Sequence, residues 1–259
     1  MTPCELKDNM IVQLVSFPIS RLTLKEREYR IDTISRILNE TDADFVMFSE
    51  HILKSKDDLF KIGENVRHKH ITALFELDEL KGLKGNKLYL LQNGKINNLE
   101  TNQIFSTSEK ATENNIEFLI EELVQHRQFD VAGKHFLVIQ CGENNILKGN
   151  TGSADFRLQN RPDLKRRFFG ILNGVDIVLN PVHSRWGRFG CFLCRMRKYS
   201  EKKRYSLSCT RIVNNNQLKL ARKNPDHNVT HVVMHSKRRI SPIYTNQVED
   251  YLLQTYEIP

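Results

Sequence analysis

The chain has 259 residues, 39% of them hydrophobic and 27% charged, which is typical of a soluble globular protein. A chain of this length can bury enough surface to fold without disulfides, so we expect one domain over residues 1–259. Five cysteines, an odd number, argue against a disulfide framework and favour a cytoplasmic location. No signal-peptide pattern and no apolar run of about 18 residues is present, so we expect no membrane association.

The net charge of +8 is unevenly distributed. Residues 157–223 contain 17 Lys and Arg against three acids, whereas the chain before them is close to balanced. A one-sided basic region favours an anionic partner, either nucleic acid, an acidic protein or an anionic small molecule. A solvated basic face that binds nothing explains the same charges, and both interpretations stay open.

The first half of the chain alternates short apolar runs with amphipathic stretches. The predicted strands span residues 10–17, 44–48, 71–77 and 87–92, and the predicted helices span 23–38 and 57–68. The dipeptide Asn93-Gly94 predicts a hairpin turn after the fourth strand. Residues 100–115 are polar, and we expect them to be irregular.

The second half continues this alternation. The predicted helices span residues 115–125 and 161–172, and the predicted strands span 135–140, 175–179 and 205–213. We expect a polar loop over 143–160, a stop to the strand 175–179 at Asn180-Pro181, a final hairpin from 229–235 and 240–244, and a partly helical segment over 247–256. Continuously apolar strands between helices predict an α/β fold whose sheet lies between helix layers.

Two reactive residues directly follow buried strands. Glu50 follows the run DFVMFS, and Cys141 follows HFLVIQ. Because sites in α/β proteins form at the carboxyl ends of strands, we expect these side chains to belong to one site. A thiolate is a strong nucleophile, a carboxylate accepts its proton, and a lysine stabilises the oxyanion that forms on attack at a carbonyl or nitrile carbon.

Four segments resemble motifs of the nitrilase, or carbon–nitrogen hydrolase, superfamily, and they occur in that family's order. The segment ADFVMFSE is similar to the strand that ends in the general base, and LVIQCGE to the turn that carries the nucleophile. The segment GVDIVLNP resembles a Gly-Ala-Asp strand ending in Asn-Pro, and GNKLYLLQNGKI the hairpin before the catalytic lysine. The resemblance covers about residues 10 to 245.

The resemblance implies a four-layer α-β-β-α sandwich, which often pairs into a dimer, so we expect a homo-oligomer. It also implies hydrolysis of a non-peptide C–N bond in a small amide, carbamoyl compound or nitrile, through a thioester. Glu50 would be the general base and Cys141 the nucleophile. The resemblance implies no metal and no organic cofactor.

The catalytic lysine is where the sequence departs most from the family. The family places it about eight residues beyond the turn glycine, which here is Asn102, followed by Gln103. Lys110, 31 residues before Cys141, is the lysine that we assign to the oxyanion. Two further departures are Ser49 in place of a proline and Gly142 in place of an aromatic residue.

Four more residues are candidates for substrate binding. Glu143 is an acid that either orients the site or is simply a loop residue, and Asn180 shapes the pocket or only forms a turn. His183 and Arg185 follow directly and can reach the mouth of the site. The pair Cys191 and Cys194 predicts no zinc site, because zinc needs four ligands and no second C-x-x-C follows.

A second hypothesis follows from the missing lysine. Without it, this chain would be a catalytically degenerate nitrilase-fold protein whose basic region, residues 157–223, binds nucleic acid or an acidic protein. Such binding would weaken steeply with salt.

Overall fold

Two β-sheets lie face to face in a computed structural model, with helices on both outer sides. The structure describes residues 9–18, 23–49, 51–67, 69–78, 86–150, 152–182, 189–212, 230–248 and 251–259. The helices are α1 Leu24–Glu40, α2 Lys56–Asn65, α3 Glu113–Gln125, α4 Pro162–Asn173 and α5 Phe189–Tyr199, together with a 3₁₀ helix at Cys141–Ile146.

The strands follow in chain order. They are β1 Met10–Ser16, β2 Phe45–Phe48, β3 Thr72–Asp78, β4 Asn86–Gln92, β5 Lys95–Asn102, β6 Gln128–Val131, β7 Lys134–Val138, β8 Leu147–Gly149, β9 Ala154–Phe156, β10 Ile177–Val182, β11 Tyr205–Thr210, β12 His231–His235, β13 Arg238–Arg239, β14 Tyr244–Gln247 and β15 Leu252–Ile258.

Each sheet has parallel strands at its centre and antiparallel strands at its edges. The first sheet has the order β14-β15-β1-β2-β3-β4-β5, in which β1, β2 and β3 are parallel. The second has the order β13-β12-β11-β10-β7-β6, in which β7, β10 and β11 are parallel. Strands β8 and β9 form a separate hairpin. The carboxyl ends of the parallel strands therefore form one edge in each sheet.

Three apolar clusters fill the spaces between the layers. One lies between the sheets and includes Val12, Phe45, Val138 and Leu179. The second lies between the first sheet and α1 and α2, and the third between the second sheet and α3, α4 and α5. The predicted α-β-β-α sandwich is therefore confirmed. Within the described residues, no helix is long and apolar enough to cross a membrane.

Local sequence signals explain where the outer helices begin. Thr23 caps α1, because its hydroxyl oxygen accepts a hydrogen bond from the Glu26 backbone N–H at 3.3 Å. Pro162 occupies the first turn of α4, where its missing N–H has no helical partner. The predicted helices and most predicted strands agree with the structure to within a few residues.

The carboxyl-terminal segment was predicted as partly helical, and this is wrong. Residues 252–258 form β15, which pairs with β1 from Met10 opposite Ile258 to Ser16 opposite Leu252. The predicted last hairpin is present but shorter than expected, because β12 pairs with β13 and Ile240 donates its N–H to the Val233 carbonyl at 2.9 Å, while β14 pairs with β15 in the other sheet. For β15, the decisive hydrogen bonds come from β1, which is distant in the chain.

Four further differences lie near the candidate site. The loop expected over residues 143–160 contains the 3₁₀ helix and the β8–β9 hairpin, and β5 extends into the region expected to be irregular. Strand β10 does not stop at Asn180-Pro181 but continues to Val182. The proline is tolerated because β7 pairs with β10 only as far as Leu179, which leaves Pro181 without a neighbour on that side. Helix α5 was not predicted.

Candidate active site

Cys141 lies at the carboxyl end of a central parallel strand. Beyond Val138, the end of β7, Ile139 donates its N–H to the Leu179 carbonyl at 2.9 Å. The Asn180 side chain donates from Nδ2 to the Ile139 carbonyl at 2.5 Å. Cys141 then begins the 3₁₀ helix, with its side chain half-buried. The sheet thus fixes the backbone that carries the thiol, while Cys141 itself stays partly exposed.

Glu143, two residues after Cys141, forms a completely buried ion pair with Arg127. Arg127 Nη1 donates to Glu143 Oε2 at 2.6 Å and Nη2 donates to Oε1 at 3.0 Å, and both side chains have 0% exposure. The backbone N–H of Ile104 donates to Oε1 at 2.7 Å, and that of Gln140 to Oε2 at 3.0 Å. The carboxylate therefore fastens the turn around Cys141 to the loop after β5.

No sequence pattern indicates that Arg127 belongs to this network. Its remaining donors bind Thr101 Oγ1 at 2.6 Å and the Asn102 carbonyl at 2.7 Å. Buried charges of this kind are rare unless paired, and the partner, Glu143, is distant in the chain. No local pattern signals such a contact.

The loop after β5 also approaches the turn that carries Cys141 closely at Gly142. A Cβ at this position would lie 2.3 Å from Ser106 Cα and 2.4 Å from the Ser106 carbonyl oxygen. Such a contact is impossible without moving backbone, which explains why a glycine replaces the family's aromatic residue. The chain therefore passes directly against the turn four residues before Lys110.

Lys110 is exposed on the turn between β5 and α3. Its carbonyl oxygen accepts a hydrogen bond from Asn115 Nδ2 at 2.8 Å, which fixes the backbone of this turn. At the family's lysine position, Asn102 ends β5, and the neighbouring Gln103 donates from Nε2 to the Phe105 carbonyl at 3.3 Å. Lys110 and Asn102, the two candidate positions for the catalytic lysine, thus lie on the segment that approaches Gly142.

Glu50 lies outside the described residues, but the residues on either side of it are described. Ser49 donates its N–H to the Val15 carbonyl at 2.9 Å, and His51 donates its N–H to the Glu76 carbonyl at 3.1 Å. His51 has a positive φ of 55°, an uncommon conformation for a non-glycine residue. The backbone before Glu50 is thus held by β1 and the backbone after it by β3.

A buried hydrogen bond connects the two sheets beside Cys141. Gln140 Nε2 donates to Glu76 Oε1 at 2.9 Å, and both residues are buried. Glu76 lies on β3 and Gln140 directly precedes Cys141, so this bond links the strand ends of one sheet to the turn that carries Cys141 in the other. Nothing in the sequence indicates Glu76, because a single acid in an apolar strand carries no motif.

Several buried polar atoms around Cys141 have no hydrogen-bond partner within the described residues. They are the amide oxygens of Asn102, Asn144 and Asn180. Asn144 Nδ2 donates to the Cys141 carbonyl at 3.1 Å, so its side chain lies against the nucleophile backbone. Leaving a buried acceptor unsatisfied costs about 1–3 kcal/mol, which a bound polar molecule would offset.

Two predicted binding residues, His183 and Arg185, lie outside the described residues, whereas Asn180 is buried on β10. Cys191 and Cys194 are free thiols on α5. Within the described ranges, no three His, Cys, Asp or Glu side chains form a group suited to a metal ion.

Many cations of the basic region make intramolecular contacts. The ion pairs are Arg161 with Asp163 and Glu113, Lys165 with Asp155, Arg167 with Glu117, and Lys198 with Glu201. Arg204 is largely buried, and its Nε donates to the Tyr199 carbonyl at 2.8 Å. The predicted binding of a polyanion stays a prediction. Fewer of the Lys and Arg side chains in residues 157–223 are available to a partner than their number in the sequence implies.

No protein-family model and no curated protein matches the sequence. Solved structures of a nitrilase-superfamily amidase from Nesterenkonia sp. do match. One has 11% identity and a TM-score of 0.56, covering 95% of this chain and 90% of that chain. A mutant of the same amidase in complex with acrylamide has 10% identity and a TM-score of 0.58, and the match covers 97% of this chain and 91% of that chain.

In a third structure, the acetamide moiety of fluoroacetamide is covalently attached to the amidase's active-site cysteine. It has 10% identity and a TM-score of 0.57, and the match covers 96% of this chain and 90% of that chain. The chain therefore has the fold of the nitrilase superfamily over nearly its whole length, as a highly divergent sequence. The predicted resemblance is confirmed at the level of the fold.

Proposed function

We propose that this chain hydrolyses a non-peptide C–N bond of a small amide or nitrile, with Cys141 as the nucleophile. The observation that carries the proposal is the position of Cys141. It is half-buried at the end of central strand β7, on a turn held by the buried Arg127–Glu143 pair. A nucleophile needs a rigid backbone and an accessible sulfur, and the anchored turn and partial exposure of Cys141 support this role.

The proposed reaction proceeds through a thioester. The Glu50 carboxylate accepts the thiol proton, and the sulfur of Cys141 attacks the amide carbon to form a tetrahedral oxyanion. The C–N bond then breaks and the proton passes to the departing amine. Water attacks the thioester, giving a carboxylic acid and the free thiol. For a primary amide, the products are therefore a carboxylic acid and ammonia.

The other roles are assigned from the resemblance and from the described neighbours. Glu50 is the general base, supported by neighbours that are anchored to β1 and β3. Lys110 stabilises the oxyanion, supported by the approach of its loop to Gly142. Substrate contacts are assigned to Asn180, which lies on β10, and to His183 and Arg185, which follow it in the chain. Glu143 positions Cys141, because its carboxylate is fully engaged by Arg127, Ile104 and Gln140.

Ammonia release from a panel of small amides and nitriles tests the proposal. Cys141→Ala should abolish turnover, whereas Cys191→Ala should leave it unchanged. Cys191 is a matched control because it is also half-buried. In the unmodified protein, iodoacetamide at neutral pH should alkylate Cys141 faster than any other cysteine. Equal alkylation rates at Cys141 and Cys191 would contradict an activated nucleophile.

A further inference from the structure

Three separate segments meet at Asn145, within the turn that carries Cys141. The backbone carbonyl of Asn145 accepts a short hydrogen bond from Arg157 Nε, and its side-chain Oδ1 accepts one from Arg195 Nη2 at 2.9 Å. Asn145 Nδ2 in turn donates to the Gly142 carbonyl at 2.8 Å. Two guanidinium groups are therefore bound to one residue, which is itself bound to the residue after Cys141.

The surrounding elements hold these arginines in place. Arg157 directly follows β9, and its backbone N–H donates to the Ile146 carbonyl at 2.9 Å. Arg195 lies in the middle of α5, which packs on the β8–β9 hairpin. A Cβ on Gly149 would lie 2.7 Å from the Cys191 carbonyl oxygen, so this glycine permits the close approach of hairpin and helix. Arg157 and Arg195 thus lie on elements that pack tightly against each other.

Neither arginine forms an ion pair with a carboxylate in the part of the chain that the structure describes. Both are half-buried, and Arg195 Nε is a buried donor without a partner among the described residues. Burial lowers the pKa of both guanidinium groups, and the charge of Arg195 lowers that of Arg157 further. Glu109 acts on Arg157 electrostatically from the exposed loop after β5.

Two adjacent, half-buried cations without a paired carboxylate are unfavourable. Partial removal from water destabilises each charge, and the two like charges repel each other. A guanidinium has a planar set of donors that matches the oxygens of a carboxylate or phosphate. Arg195 retains one such donor unused, which suggests that the missing partner is a small anion.

We propose that Arg157 and Arg195 bind the anionic end of the substrate, so that Cys141 acts on amides that carry a carboxylate or phosphate at their other end. This inference rests on the proposed function of Cys141. Asn145 lies four residues after Cys141, which at a 3₁₀ rise of about 2 Å per residue corresponds to about 8 Å. Two extended arginine side chains can therefore hold an anionic group while its amide lies at the thiol.

Calorimetric titration of the Cys141→Ala protein at low salt tests binding without turnover. The probes are succinate, inorganic phosphate and, as a neutral control, succinamide. Succinate or phosphate should bind saturably and succinamide should not. Arg157→Gln and Arg195→Gln should each weaken anion binding roughly tenfold or more, as expected for loss of one charged hydrogen-bonding partner. Whichever of succinate and phosphate binds with the higher affinity identifies the recognised group as a carboxylate or a phosphate.

Further variants separate specific binding from folding and from overall charge. Arg166→Gln removes an exposed cation from α4 and should leave the affinity unchanged. Arg157→Lys and Arg195→Lys keep the charge but lose the planar donor set, so they should bind more weakly while unfolding at the same temperature. Equal affinity in Arg157→Gln, Arg195→Gln and Arg166→Gln would overturn the proposal, as would the absence of binding by both anions.

Turnover then distinguishes this inference from the proposed function. If both hold, the monoamide of succinate should be hydrolysed with a higher kcat/KM than acetamide, and Arg195→Gln should remove the difference. Hydrolysis of acetamide without anion binding would refute the anion site alone. Anion binding without hydrolysis of any amide would refute the proposed function and leave the site standing.

Discussion

Arg127 and Glu143 form an ion pair in which both side chains are completely excluded from solvent, with Nη1 and Oε2 2.6 Å apart. The pair joins the start of β6 to the second residue after Cys141 and also binds the end of β5 through Thr101 and Asn102. Three strand ends are thus coupled to the backbone of the candidate nucleophile. A buried pair of this kind is sensitive to the loss of one partner.

Arg127→Met should lower the free energy of unfolding by about 3–5 kcal/mol, because it leaves the Glu143 carboxylate buried without its counter-charge. The double variant Arg127→Met/Glu143→Leu should recover part of that loss. Urea denaturation measures both. Arg161→Met is the control, since its ion pairs are exposed and should contribute about 1 kcal/mol or less. Equal losses in Arg127→Met and Arg161→Met would contradict this account.

Gly142→Ala should lower stability by about 1–3 kcal/mol, because the new Cβ collides with the Ser106 backbone. Iodoacetamide should also alkylate Cys141 more slowly, since the turn must shift. Gly170→Ala provides the opposite control. Nothing lies within 4 Å of a Cβ at Gly170 on α4, so the substitution should stabilise the protein by about 1 kcal/mol. Thermal unfolding and peptide mapping report the two effects.

Lys110→Met should reduce kcat/KM for amide hydrolysis about 10²–10³-fold if this lysine stabilises the oxyanion. Lys148→Met removes another exposed lysine, on β8, and should have no comparable effect. A rate unchanged in Lys110→Met would assign the role elsewhere. In that case Asn102→Lys, which places a lysine where the resemblance expects one, should raise kcat/KM above that of the unmodified protein.

Protonation of His231 should destabilise the fold in acid. Its ring nitrogens lie 2.8 Å from Ser16 Oγ and 3.0 Å from Gln254 Oε1, and burial lowers its pKa from 6.5 to about 3. Between these values the unfolded state binds the extra proton. The free energy of unfolding should therefore fall as the pH decreases from 6.5 towards 3, by up to about 1.4 kcal/mol per pH unit.

The measurement is the pH dependence of urea denaturation in His231→Gln and in the unmodified protein. In His231→Gln, the free energy of unfolding should lose the part of its pH dependence that comes from protonation of His231. His70→Gln, a substitution at an exposed position, should retain it. Identical slopes in the unmodified protein and His231→Gln would show that His231 does not titrate between its unfolded and folded pKa values.

Sequence patterns were sufficient for the layers and for the position of Cys141 at the end of a buried strand. Apolar runs and helical periodicity are local properties, so the strands of residues 10–17 and 135–140 and the helix of 161–172 could be predicted. The order of four motifs was enough to indicate the nitrilase fold. Cys141 could be assigned to a strand end because the run HFLVIQ directly precedes it.

Other features depend on contacts between distant residues. Residues 252–258 form a strand because β1 pairs with them, although nothing in their own periodicity required it. Likewise, β10 continues through Pro181 because β7 has already ended. Local propensity is a weak constraint where a neighbouring strand supplies the hydrogen bonds.

The chain by itself determined which residues follow buried strands, because the alternation of apolar and polar residues encodes burial. Only the tertiary structure decided what surrounds Cys141. Arg127 meets Glu143, Ser106 meets Gly142, and Arg157 and Arg195 meet at Asn145. These contacts join segments that are 12 to 50 residues apart, and charge pairing and close packing leave no periodic signal in sequence.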